Sequence, residues 1–164
     1  MPINEERHYL EVLGDELALA LGQAIWAFAR IEWLTYECLR RLSRDELDIL
    51  VGDLGFSAKI KLVKGLVEKT KASRILKDGI IACLGSADAL AKERNIIVHN
   101  PWSIWIDLDR EEFMTEIQKY SNRDKKINLE SVVGFTAKAQ EVAASLDAAL
   151  NALTNNSGNV GVAS

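Results

Sequence analysis

The stretch "AKERNIIVHNPWSIWIDLD", Ala91 to Asp109, decides how this chain folds. As far as His99 its apolar residues keep helical spacing; beyond Pro101 they alternate with polar ones. Asn100 precedes the proline, whose ring keeps the residue before it out of the α conformation, so a helix must stop there. "SIWIDLD" then reads as a strand. "EFMTEIQKY" partly repeats the alternation after the turn-like "LDREE", which predicts a short β-hairpin or an extended excursion.

Upstream of this break the helical pattern reaches back to about Ser73, through Leu76, Ile80, Cys83, Ala87 and Leu90. A long first helix is predicted from near Glu5 to Leu42, with a bend at Gly14 or Gly22. Its stripe is Leu17, Leu21, Ala24, Phe28, Ile31, Cys38 and Leu42, broken by Thr35. "SRDELDILVGDLG" predicts a short second helix capped by Ser43, and Ser57 is placed as the cap of a third, "AKIKLVKGLVEKT". Downstream, "SNRDKK" reads as a polar loop and Asn128 as the cap of a last helix ending near Leu153. That helix has an inner stripe of Val132, Ala139, Ala143, Leu146, Leu150 and Leu153. The fold class is therefore all-α: a bundle of about five helices with a hairpin insertion before the last. Residues 1–154 form one domain in this reading, and 155–164 a flexible tail.

The 164 residues suit a single core without disulfides or metals. A net charge of -4 supplies no global field for nucleic acid, so such a partner needs a local basic surface. The acidic N-terminus lacks a signal-peptide pattern, and the longest uncharged run, "LALALGQAIWAFA", is too short to span a bilayer. The two cysteines, Cys38 and Cys83, sit in apolar stripes, and a reduced, cytoplasmic protein without membrane attachment is expected. No metal-ligand spacing, Gly-rich phosphate loop or Ser-His-Asp order stands out, and no cofactor is called for.

Continuing the fourth-helix stripe predicts apolar residues at 94 and 97; position 97 is Ile97, but position 94 is Arg94. An arginine on a core-facing row must be paired or line a cavity. Asn95 and His99, four apart, share a face, whereas Arg94 and His99 are offset by roughly 140° on one helix. Two readings are open. In the structural one, Arg94 pairs with Glu32, set among Ile31, Trp33 and Leu34, while His99 caps the last carbonyls of its helix. In the functional one, Arg94 is a donor fork for phosphate and His99 a general acid or base near neutrality.

"RNIIVH" resembles the Arg-Asn-x-x-x-His signature of the HEPN superfamily, all-α domains of RNases, toxins and phage-defence proteins. "IWAFARIEWLTYECLRRL" and "AKIKLVKGL" are similar to its other helices, and the resemblance covers residues 17–154. It implies metal-independent RNA cleavage by a homodimer, with catalytic Arg94, Asn95 and His99 of both chains facing one cleft. It also implies 2′,3′-cyclic phosphate ends and, in a toxin setting, an antitoxin or nucleotidyltransferase partner. A non-catalytic dimerising module that binds nucleotide, RNA or protein is the alternative. Trp102, Arg40 and Arg41 are candidate substrate contacts, and Trp102 and Trp105 alternatively anchor the excursion onto the bundle. Trp26 and Trp33 read as core or dimer surface. Lys59, Lys61 and Lys64 read as a solvated face, and His8 as exposed without partners at ligand spacing.

Overall fold

Helix α1 runs unbroken from Ile3 to Leu42, through both glycines. The structure is a computed structural model describing residues 3–43, 46–107, 112–119, 121–122, 124 and 126–158. Leu17, Ala24, Phe28, Ile31 and Cys38 are buried as their spacing requires. Thr35 is buried among them because its hydroxyl donates to the Ile31 carbonyl at 2.9 Å, so the polar interruption of the stripe is satisfied within the helix. By length and composition His8–Leu42 could cross a membrane; one face of it forms the core of the bundle.

Helix α2, Leu47–Leu50, is a single turn with no buried residue. Ser43 does not cap it: its N–H still donates to Leu39 at the end of α1, and Glu46 takes the cap position. Helix α3, Phe56–Lys69, begins after Gly55, one residue ahead of the expected cap. Ser57 lies inside its first turn and donates its hydroxyl to Asp88 of the next helix, so a tertiary partner has claimed the expected capping group. Lys59 is not on a solvated face. It is 9% exposed, its ammonium donating to the Gly52 carbonyl at 2.9 Å and to the Tyr36 hydroxyl. It thereby ties α3 to the turn after α2.

Helix α4 spans Arg74–His99, and Ser73 accepts from the Leu76 N–H as its N-cap. Leu84 is fully buried in its third turn, where the expected stripe has Cys83, which is only partly buried. The helix ends at Asn100, whose backbone is extended (φ -120°, ψ 146°) as the following proline demands. Strands β1 (Trp102–Asp107) and β2 (Glu112–Gln118) pair antiparallel, with Trp102 opposite Ile117; the expected turn at 108–111 lies outside the described residues. A third strand, β3 (Lys126–Asn128), joins β2 and sets Ile127 opposite Ile117, both buried. Three residues are too few to display an alternation, which is why this segment reads as loop in the sequence.

Asn128 caps α5, Leu129–Gly158, accepting from the Ser131 N–H at 2.9 Å. All six residues of the expected inner stripe are buried. Helix α5 continues four residues past Thr154; residues 159–164 of the expected tail lie outside the described residues. The chain is an all-α bundle of five helices carrying a small sheet between α4 and α5. At its centre is the fully buried ring of Phe28, edge-on to Phe56 of α3 at 5.2 Å and stacked near Phe135 of α5 at 6.3 Å. The guanidinium of Arg94, from α4, lies 5.4 Å over the same ring. Four helices meet on one side chain.

Candidate functional site

Beside Phe28 an open cleft of about 430 Å³ is lined by Glu32, Phe56, Ser57, Lys92, Arg94 and Asn95, among others. Arg94 reaches it from the row that would otherwise continue the apolar stripe of α4. Its side chain is 29% exposed and forms an ion pair with Glu32 at 3.5 Å, the pairing the structural reading predicts. It also donates to the side-chain amide oxygen of Asn95 at 3.1 Å. At 3.5 Å the carboxylate contact is longer than a good charge-assisted hydrogen bond, and a half-exposed pair of this kind contributes about 1 kcal/mol or less. A competing anion can therefore displace it. The cation–π contact with Phe28 holds the guanidinium at the mouth of the cleft.

His99 is exposed and does not line this cleft. Nor does it cap the helix: Asn100 does so, its amide donating to the Ile96 carbonyl at 2.9 Å. Among the described residues no hydrogen bond or ion pair involves the His99 side chain. One chain thus brings Arg94 and Asn95 together with Glu32, and leaves the imidazole apart from them. The sequence reading did not include Ser57, Lys92 or Phe56 in the site. The one available signal was the Ser57 hydroxyl at a helix start, and it pointed to capping.

Trp102 packs against the core, and its indole nitrogen is buried with no hydrogen-bond partner among the described residues. It anchors β1 to the bundle rather than offering a free stacking face. Trp105, 39% exposed, has the Lys126 ammonium 6.0 Å from its ring. Arg40 and Arg41 do not line the cleft. Both donate to the same Glu37 oxygen, at 2.8 and 3.1 Å, and Arg41 also reaches Asn151 of α5 at 3.1 Å. The Arg40 hydrogen bond, supported by both cations, holds the Glu37 carboxyl below the usual carboxylate range despite its burial.

A depressed pKa of this kind adds stability that is fully present above the unfolded value of about 4.3 and is lost as pH falls through the folded value. Glu37→Gln is therefore expected to melt below the parent protein at neutral pH. The gap should close on acidification below about pH 4 in a thermal melt series; a gap independent of pH would refute the charge pairing.

Burial pushes the Cys38 thiol up to about 12 and raises that of Cys83, so neither supplies a thiolate nucleophile near neutral pH. Among the described residues no group of three or more His, Cys, Asp or Glu could hold a metal ion. A larger hollow of about 540 Å³ lies between α4 and α5 against Cys83, Ser86, Glu93, Lys138 and Glu141. It contains neither arginine nor histidine, and the cleft at Arg94 is the candidate site because its polar groups converge. Neither family models, nor curated proteins, nor solved structures give a match to this chain. The case for the site therefore rests on its own residues.

Proposed function

We propose that this protein is an endoribonuclease of HEPN type that works without a metal ion, as a homodimer, on a site built from Arg94, Asn95 and His99. The observation that supports this reading is the state of the motif. Arg94 faces an open cleft, held there by a weak ion pair to Glu32 and a hydrogen bond to Asn95. His99 stands exposed at the break before Pro101, engaged by nothing among the described residues.

In this reading a ribose 2′-OH gives its proton to one imidazole and its oxygen attacks the adjacent phosphorus. The guanidinium fork of Arg94 stabilises the pentavalent phosphate. The P–O5′ bond breaks, and the leaving oxygen takes a proton from the second, protonated imidazole, that of the partner chain. The products are a 2′,3′-cyclic phosphate and a 5′-hydroxyl. The two-fold assembly matters because a single chain holds its histidine outside the Arg94 cleft. Such an activity suits a toxin or phage-defence effector held in check by an antitoxin or nucleotidyltransferase.

The pairing of Arg94 with both Glu32 and Asn95 favours a second reading, a dimerising module that binds RNA or nucleotide without cutting it. Incubating the purified protein with total RNA in EDTA separates the two. Cleavage should appear, and should fall about 10²- to 10³-fold in Arg94→Ala, the cost typical of losing one preorganised donor to a developing oxyanion. RNA retained but uncut would establish the binding module, and RNA neither bound nor cut would end both readings.

A further inference from the structure

Val12, Leu19, Trp26 and Trp33 stand seven residues apart on α1, and all four are exposed, by 43, 63, 82 and 50%. Their opposite face, not they, builds the core. A seven-residue repeat of large apolar groups is the period that matches a second helix lying along the first. We infer that α1 docks antiparallel on α1 of a second copy of this chain. The pairing supplies the second copy that the two-chain reading calls for, and it needs no RNA chemistry to be true.

Three observations choose the occupant. Between the large residues, three positions after each, come Asp15, Gly22 and Ala29, all exposed. An antiparallel pair sets a large residue of one helix on the intervening residue of the other, which places Trp26 over the partner's Gly22 and Leu19 over the partner's Ala29. Nothing stands within 4 Å of where a side chain on Gly22 would begin, so the surface there is open to an approaching side chain. Finally, the ridge is acidic in its first half, with Glu11, Asp15 and Glu16, and carries Arg30 in its second. Arg30 lies 5.3 Å over its own Trp33 ring and already pairs with Asp147 of α5 at 3.0 Å, so the partner's Asp15 would come to share this guanidinium with Asp147. A parallel pair would instead set acid on acid and tryptophan on tryptophan. Phe28 and Glu32, the residues that carry Arg94, lie between Trp26 and Trp33 in sequence, with Phe28 turned into the core away from the ridge. None of the four ridge residues lines the Arg94 cleft, so pairing along the ridge leaves both clefts open.

Sedimentation equilibrium of the full-length protein should show a dimer at micromolar concentration. Trp26→Glu should raise its dissociation constant by at least about 30-fold with helical circular dichroism unchanged, the loss expected at an interface hot spot. Orientation is read separately in a Cys83→Ser background. Leu19→Cys mixed with Ala29→Cys should form a disulfide-linked dimer on oxidation, and neither variant alone should. A monomeric parent protein, a dimer indifferent to Trp26→Glu, or cross-linking of each variant with itself would overturn the proposal. So would a monomer that floats with phosphatidylcholine vesicles, since a bilayer would then be the occupant of the ridge. A dimer that passes these tests and leaves RNA intact upholds the surface and removes only the nuclease.

Discussion

His99→Ala should lower RNA cleavage by about 10²- to 10⁴-fold, the range spanned by losing a general acid or base, while leaving the melting temperature where it was. The two halves of this expectation come from the same fact. The imidazole is exposed and holds no bond among the described residues, so its removal costs the fold almost nothing, within about 0.5 kcal/mol. Asn100→Ala is the matching control. It removes the bond that closes the last turn of α4 and should reduce stability. If His99→Ala cuts as fast as the parent, the proton transfers belong elsewhere and the nuclease reading is lost. If it melts markedly lower, the residue has a structural role that the geometry does not contain.

Phe28→Ala should be the most damaging single change to the fold, costing about 3–5 kcal/mol by lost burial and the cavity left behind. For a chain of this size 1 kcal/mol corresponds to roughly 2–4 °C, so the melting temperature should fall on the order of 10 °C. The ring touches Phe56 and Phe135 and supports Arg94, so the hole opens where α1, α3, α4 and α5 meet. Denaturant unfolding measures the loss. A cost under about 1 kcal/mol, the scale of an isosteric core swap, would mean that the surrounding helices collapse into the space and that the ring is no hub.

The four long helices were legible because each buries one stripe, and their ends were legible where the capping group acts on its own backbone. Ser73, Asn128 and the Asn100–Pro101 stop are of that kind. Ser57 failed as a cap because its hydroxyl turns to Asp88, thirty-one residues away in sequence, and no local rule contains that partner. Lys59 failed for a similar reason: its burial depends on a carbonyl and a phenol brought in from outside α3. In the site, Arg94 and its pairing with Glu32 followed from one anomalous position on an apolar row. Arg40 and Arg41 looked available for phosphate because a sequence does not reveal that Glu37, one turn back, already holds both. Trp102 was open between stacking platform and anchor, and packing settled it as the anchor.

The contact between Arg94 and the Phe28 ring bears on how such a chain can diverge. A guanidinium perched on a core aromatic cannot be relocated by drift at its own position alone, since a smaller group at 28 would let it sink and a bulkier one would evict it. Substitutions at 28 and 94 are thus yoked, and lineages that abandon one should be found to have abandoned the other.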